Sequence, residues 1–170
     1  MLGDNWRWCP RCRAALGRMP RGGAERPHCP ACGFVFFANP GIGAATVIRD
    51  PIGRVLLVRR GHGQWGAGRW CFPCGFVEWG EDVREAARRE ALEEAGVIVT
   101  LGEVVQVASN FHDPDRPTLG VWFAAVMVEP DATPIAGDDA VEVGWFDPDA
   151  PPELAFPTDA AVFERLVRRR

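Results

Sequence analysis

The chain has 170 residues, of which 47% are hydrophobic and 25% are charged, the composition of a folded, water-soluble protein. This length accommodates one domain of catalytic size and a small module, and no run approaches the roughly 18 uncharged apolar residues of a membrane span. The net charge of −4 is too small to indicate a nucleic-acid partner by itself. The first nine residues lack the apolar core of a secretory signal, so we expect a cytoplasmic protein.

The composition changes near residue 40. Residues 1–40 contain six arginines against two acids, a balance of +4, so the other 130 residues carry −8. Four of the six cysteines precede residue 33, and Asn39-Pro40-Gly41 is typical of a turn. We therefore predict two domains, a small module at residues 1–38 and a larger domain at residues 39–170.

Two CxxC pairs define the small module. Cys9 and Cys12 are followed, after sixteen residues, by Cys29 and Cys32, the spacing of a four-thiolate zinc ribbon. A segment of this size buries too little apolar surface to fold alone, and structural Zn²⁺ supplies the missing folding energy. Disulfides and free thiols are the alternatives, and a cytoplasmic setting argues against disulfides. His28 is another candidate ligand, although four cysteines already complete the zinc shell.

The role of this zinc ribbon is open between two interpretations. Its positive balance favours contact with phosphates or RNA. The alternative is an accessory for folding or dimerisation, which we favour because a closed four-cysteine site does no chemistry.

The larger domain mixes strands and helices without regular alternation. We predict a strand at 41–48, a turn at 50–53 and a hairpin partner at 54–60. A glycine-rich loop at 61–69 and an extended segment at 70–77 follow. The remaining predicted elements are a helix at 82–95 closed by Gly96, strands at 97–108, 119–128 and 141–146, and a final helix at 158–167 capped by Thr158. This order predicts an α/β fold with a mixed sheet.

The helix at 82–95 carries three acids near its C-terminal end. At helical spacing Glu90 and Glu94 share one stripe with small apolar residues, and Glu93 lies at its edge. Since the apolar part of the stripe packs on the sheet, we expect the acids to face the interior or a cleft. The helix dipole and mutual repulsion disfavour them there, and divalent cations satisfy clustered carboxylates. The alternative is an exposed helix with ion pairs such as Glu85 with Arg88.

Residues 75–97 resemble the Nudix box. That pattern is glycine, five residues, glutamate, seven residues, arginine–glutamate, an aliphatic residue, any residue, two glutamates, any residue, glycine and an aliphatic residue. The matching positions are Gly75, Glu81, Arg89, Glu90, Ala91, Glu93, Glu94, Gly96 and Val97. Ala91 is smaller than the aliphatic residue that is usual at its position.

The resemblance implies an α/β/α sandwich and a Mg²⁺- or Mn²⁺-dependent hydrolase acting on a nucleoside diphosphate linked to another moiety. It assigns the metal ligands to Glu90, Glu93 and Glu94, with the carbonyl of Gly75 as a further ligand. It assigns Glu81 to a supporting role, exerted through Arg89.

The general base and the substrate contacts are less determined. Glu93 and Glu94 are candidate bases, and so are the later acids Asp138, Asp139 and Glu142, of which we favour Glu142. Our candidate phosphate contacts, Arg59, Arg60 and Arg69, flank the glycine-rich loop. Five aromatic residues are candidates to stack on a base, with Phe111 favoured for its loop position: Trp65, Trp70, Trp79, Phe111 and Trp122. Cys71 and Cys74 are expected to be two small buried residues.

The whole chain is similar to ADP-ribose and FAD pyrophosphatase-like Nudix proteins that carry a short ribbon. The alternatives are an NAD(H) pyrophosphatase, an enzyme that processes RNA 5′ caps, and a regulator that senses ADP-ribose without cleaving it. The NAD(H) group carries a signature that residues 109–115 lack. The expected partner is a small nucleotide substrate, with weak RNA contact through the ribbon and a homodimer as further expectations and no membrane association.

Overall fold

The structure, a computed structural model, describes residues 6–168 of the chain. Its elements, in chain order, are β1 (Gly17–Arg21), β2 (Ala24–His28), β3 (Gly41–Ile48), β4 (Val55–Arg60), β5 (Trp70–Cys71), β6 (Cys74–Phe76), α1 (Val83–Ala95), β7 (Val99–Asn110), β8 (Thr118–Met127), β9 (Ala140–Phe146) and α2 (Pro157–Arg168). Within the described residues, neither helix has the length and apolar character needed to cross a membrane.

The chain divides into two compact units. The first unit extends to Pro40 and includes Asp113–Pro117, and the second comprises Gly41–His112 and the chain from Thr118 onward. In the first unit β1 and β2 form an antiparallel hairpin in which Gly17 lies opposite His28.

The second unit contains two sheets. One has the strand order β6-β3-β8-β7, and the other has the order β5-β4-β9. β3 runs parallel to β8, whereas β6 pairs with β3, and β7 with β8, in antiparallel fashion. The larger sheet is therefore mixed, as predicted.

The predicted hairpin between β3 and β4 is wrong. β4 pairs with β5 and β9 in the smaller sheet, and a single bridge between Arg49 and Val55 connects it to the end of β3. The turn is fixed by the Asp50 carboxylate, which accepts hydrogen bonds from the backbone N–H groups of Ile52 and Arg54. Both strands are buried on successive residues, so each belongs inside a sheet that is covered on both faces rather than in an alternating, half-exposed hairpin.

The two helices cover opposite faces of β3. Small residues of α1 pack with Ala44 and Phe123, whereas the apolar side of α2 packs with Val47 and Trp122. Because side chains alternate along a strand, Ala44 and Val47 point to opposite faces of the sheet. This arrangement is an α/β/α sandwich and confirms the expected fold class.

The ends of α1 follow the sequence signals, and the start of α2 does not. The Asp82 side chain accepts a hydrogen bond from the Arg84 N–H, and Gly96 ends α1 in the left-handed region at φ 66°. Helix α2 begins at Pro157, a residue suited to the first helical position. Thr158 therefore lies inside the helix instead of capping it, and its hydroxyl donates to Oδ1 of Asn110.

Candidate active site and zinc site

Four cysteine thiols converge in the first unit. The Sγ atoms of Cys9 and Cys32 are 3.6 Å apart, those of Cys12 and Cys29 are 3.5 Å apart, and all four lie within 4.8 Å of one another. A tetrahedron with Zn–S bonds of about 2.3 Å has edges of about 3.8 Å. The cluster therefore has the size and the donor set of a structural zinc site.

The two CxxC segments adopt the same turn. The N–H of Arg13 donates to the carbonyl of Cys9, and the N–H of Gly33 donates to the carbonyl of Cys29, both at 2.9 Å. Arg13 and Gly33 both have positive φ, at 62° and 74°. Each turn thus folds back on its first cysteine, which brings both of its thiols to one side. His28 is outside the cluster of ligand atoms.

In the second unit, β6 approaches α1 closely at Gly75. This residue pairs with Ala44 of β3, and a Cβ atom placed on it would lie 2.1 Å from Oε1 of Glu90. A side chain at this position would displace the Glu90 carboxylate. Glycine at position 75 therefore leaves room for an acid beside the backbone of β6.

Two acids of α1 are buried, as the predicted stripe requires. Glu90 is 8% exposed and Glu94 is 3% exposed. Burial, followed by the neighbouring Cys71, raises the pKa of Glu94 to about 10, although the Cys74 N–H donates to its Oε2 at 2.7 Å. Burial also raises the pKa of Glu90, against the effect of Arg89. Acids held this way become ionised when a cation binds beside them.

Arg89 is the cation that contacts the box acids within the protein. Its Nε and Nη2 atoms donate to the two carboxylate oxygens of Glu81 at 2.8 and 3.0 Å. Its Nη1 atom donates to Glu90 at 2.7 Å and to Glu93 at 2.9 Å. The hydrogen bonds from Arg89 hold the pKa of Glu81 at about 2. One guanidinium thus connects three acids of the predicted box. The exposed side of the same helix carries the Glu85–Arg88 ion pair.

The carboxylates of the box acids fit a hard divalent cation once the Glu93 side chain rotates away from Arg89. Among the described residues, the four cysteines are the cluster with three or more ligand atoms within 4.8 Å, so the box acids do not converge on one point while Arg89 holds two of them. The Glu93 side chain is 44% exposed and has room to leave Arg89. Carboxylate oxygens are the ligands that Mg²⁺ and Mn²⁺ prefer.

Comparison with known proteins decides the family. The model of the NUDIX domain matches residues 39–166, which is most of the chain. The protein belongs to the NUDIX family. The crystal structure of a NUDIX hydrolase from Nitrosomonas europaea matches with a TM-score of 0.82 and 27% identity, covering 97% of this chain and 92% of the other.

Two relatives of the chain are named for different activities. The NAD-capped RNA hydrolase NudC of Chromobacterium violaceum is 36% identical over 83% of this chain and 50% of its own length. The ADP-ribose pyrophosphatase of Methanocaldococcus jannaschii is 32% identical over 72% of this chain and 71% of its own length. The chain therefore spans about half the length of the first relative and most of the second.

Of the residues that we favoured outside the Nudix box, Glu142, Arg59 and Arg69 form ion pairs and Phe111 is exposed. Glu142 lies on β9, where its carboxylate pairs with Arg59 at 3.1 Å. Arg69 pairs with Glu153 at 3.0 Å, and Phe111 is 74% exposed. In contrast, Asp139 is close enough to Glu94 to raise its pKa. These positions favour Asp139 over Glu142 as the later acid nearest the box.

Arg60 was among the candidates from the sequence, which left open the direction of its side chain and the meeting of three aromatic rings. Arg60 faces the interior beside Cys71, unlike its neighbour Arg59. The rings of Trp65, His112 and Phe156 meet, although they are distant in sequence. The position of Arg60 beside the glycine-rich loop made it a candidate phosphate contact. The direction of its side chain depends on the pairing of β4, which the sequence does not reveal.

Proposed function

We propose that this Nudix protein is a divalent-metal-dependent hydrolase that cleaves the pyrophosphate of a nucleoside diphosphate linked to another moiety. The observation that carries the proposal is the burial of Glu90 and Glu94 in the complete box, because buried carboxylates need a cation to be stable as anions. The relative named ADP-ribose pyrophosphatase supports ADP-ribose as the substrate type. FAD contains the same kind of pyrophosphate between two moieties.

The acids of the box have separate roles in this proposal. The groups that hold Mg²⁺ or Mn²⁺ are the carboxylates of Glu90, Glu93 and Glu94 and the carbonyl of Gly75. When bound, the ion neutralises the pyrophosphate charge and acidifies a water molecule. Arg89 orients Glu90 through its hydrogen bond, and Glu81 keeps Arg89 in place with two hydrogen bonds.

A carboxylate then takes the proton from the attacking water. Glu142 is the base that we predicted from the sequence, and Glu93 and Glu94 are candidates within the box. Asp139 has the support of its position beside Glu94. Loss of a general base lowers kcat by roughly 10²- to 10⁴-fold. Comparison of Glu142→Gln with Asp139→Asn therefore distinguishes these two acids, and wild-type kcat in both variants assigns the base to the box.

The ribbon cysteines hold structural Zn²⁺ in this proposal. Four thiolates close the coordination shell, so the ion has no open position for chemistry. Bound zinc supplies folding energy to the first unit, whose β1–β2 hairpin is largely exposed.

An RNA substrate is the second candidate function. Residues 6–40 contain six arginines and a single acid, Glu25, which gives a net charge of +5. A zinc ion bound to four thiolates lowers this net charge to +3. Trp8 is 66% exposed beside them. Basic and aromatic side chains together suit single-stranded RNA, and one relative is named as an NAD-capped RNA hydrolase. Salt-dependent RNA binding that disappears in an Arg11→Gln/Arg13→Gln variant supports this candidate.

A substrate panel tests the proposed function. ADP-ribose, FAD, NADH and NAD-capped RNA are incubated with Mg²⁺ or Mn²⁺, and the products are resolved by chromatography. Glu93→Gln and Glu94→Gln should abolish any activity found, whereas Glu85→Gln, on the exposed side of the same helix, should retain it. Wild-type turnover in both box variants would show that the assigned site is wrong.

Two questions remain: whether the protein is an enzyme or a sensor, and whether it forms a homodimer. A wild-type protein that binds ADP-ribose but cleaves nothing in the panel fits a sensor rather than an enzyme. The predicted homodimer is tested by sedimentation at several protein concentrations.

A further inference from the structure

An aromatic cluster in the second unit consists of Trp65, His112 and Phe156. The ring centroids of Trp65 and His112 are 4.2 Å apart, and those of His112 and Phe156 are 5.0 Å apart. The rings of Trp65 and Phe156 are nearly parallel, with centroids 5.7 Å apart. Trp65 is 43% exposed, and the other two residues are partly exposed. Phe156 packs against the core, whereas Trp65 offers aromatic surface to a ligand.

Arg60 contacts two residues of the aromatic cluster and interacts electrostatically with one box acid. Its guanidinium carbon lies 5.0 Å from the ring centroid of Phe156, and its Nε atom donates to the Trp65 carbonyl at 2.9 Å. It is also close enough to Glu94 for the two charges to interact. The guanidinium thus contacts the aromatic cluster and lies within electrostatic range of a box acid.

Arg60 differs from the arginines around it in its partners. Arg59 and Arg69 pair with the carboxylates of Glu142 and Glu153. The other hydrogen bond of Arg60 goes to the Cys71 thiol at 3.7 Å, and in the part of the chain that the structure describes no carboxylate lies within ion-pair distance of it. A partly buried guanidinium with no carboxylate partner is suited to a phosphate.

The glycine-rich loop fixes the aromatic cluster relative to the box. At its start, the Gly61 N–H donates to the carbonyl of Asp139 at 2.9 Å. Farther along, a Cβ atom on Gly66 would lie 3.0 Å from the Cβ atom of Ala155, next to Phe156. The loop that carries Trp65 therefore runs from the acid beside Glu94 to the segment before α2.

We propose that the aromatic cluster and Arg60 bind the nucleotide end of the substrate, with a purine ring stacked on Trp65 and the adjacent phosphate on Arg60. This inference rests on the proposed function for the identity of the substrate, but it concerns recognition and not cleavage. Stacking between bases and aromatic side chains needs no specific hydrogen bonds. A purine offers the larger ring face, and a nicotinamide ring is the other source of the same chemistry.

Calorimetric titrations without added Mg²⁺ or Mn²⁺ test binding apart from catalysis. The probes are AMP, nicotinamide mononucleotide and ribose 5-phosphate, and the variants are Trp65→Leu, Trp65→Phe and Arg60→Gln. Trp65→Leu should weaken AMP binding about tenfold or more and leave ribose 5-phosphate unchanged, whereas Trp65→Phe should retain most of the AMP affinity. Arg60→Gln should weaken all three probes. Phe111→Leu removes the ring that we favoured from the sequence; it tests the competing assignment and should bind AMP within twofold of wild type.

The outcomes separate this inference from the proposed function. Equal AMP affinity in wild type and Trp65→Leu, including no binding by either, would overturn the inference, as would a loss confined to Phe111→Leu. Tighter binding of nicotinamide mononucleotide than of AMP would overturn the purine assignment. If AMP binding depends on Trp65 but the wild-type protein hydrolyses no pyrophosphate, the proposed function fails and the nucleotide site stands.

Discussion

Asp159 of α2 gives the protein a pH-dependent stability that one substitution should remove. Its side chain is buried, and Oδ1 accepts a hydrogen bond from the indole N–H of Trp122 at 3.0 Å. Within the described residues the other oxygen, Oδ2, has no hydrogen-bond partner. Burial is the main cause that raises the pKa of Asp159 from 3.8 to about 7. The folded protein therefore keeps this acid protonated at pH values where the unfolded chain ionises it.

The sign of the effect follows from proton linkage. Between pH 3.8 and about 7 the unfolded chain binds fewer protons at Asp159 than the folded protein does, so the free energy of unfolding falls as the pH rises. Each pH unit in this window costs about 1.4 kcal/mol, which gives an upper bound of roughly 4 kcal/mol above pH 7. Below pH 3.8 the cost vanishes, because both states are protonated.

Asp159→Asn mimics the protonated acid and keeps an acceptor for Trp122. In urea denaturation followed by tryptophan fluorescence, the stability of the variant relative to wild type should increase by roughly 3 kcal/mol from pH 5 to pH 8. Comparison between two pH values cancels the constant effect of the amide on packing. Asp131→Asn, at an exposed turn, is the control and should show no such trend. A difference between Asp159→Asn and wild type that stays constant with pH would refute the reasoning.

Three further predictions concern the box and the ribbon. Without added Mg²⁺ or Mn²⁺, Arg89→Gln should lower the melting temperature by roughly 5 °C, and Mg²⁺ should raise the melting temperature of this variant more than that of wild type, because its acids have lost their guanidinium; an equal Mg²⁺ effect in both would contradict this. Gly75→Ala should reduce activity about 100-fold with an unchanged circular dichroism spectrum, since its Cβ atom meets the Glu90 carboxylate; wild-type activity would contradict the close approach. Mass spectrometry under native conditions should find one zinc per chain, lost in Cys12→Ser.

The parts of the site that are local in sequence could be predicted. Helix α1 is capped at its start by the Asp82 side chain and at its end by Gly96, whose backbone adopts the left-handed conformation. Both residues are strong signals of helix ends. The buried stripe of the helix follows from helical spacing. The four-cysteine cluster follows from two CxxC turns, each closed by a hydrogen bond between near neighbours. These features depend on a few neighbouring residues, so the sequence contains enough information.

The parts that depend on strand pairing could not be predicted. The apolar runs of β3 and β4 fit one hairpin as well as two sheets, and the choice is made by burial against both helices. Arg59 faces the surface and Arg60 the interior, and the pairing of β4 with β9 shifts register between them, which the sequence does not reveal. Asp159 has the pattern of an ordinary acid in a first helical turn, and only tertiary packing buries it.

The Arg89 guanidinium also bears on the stability of the second unit when no divalent metal is bound. A counterion that belongs to the chain does not diffuse away, so the carboxylates of Glu90 and Glu93 stay compensated whether or not a divalent ion is available. In the proposed function, loading with Mg²⁺ is then an exchange of one positive partner for another rather than the assembly of bare charges. We expect the fold to persist without divalent metal and activity to return once the ion competes with Arg89 for Glu93.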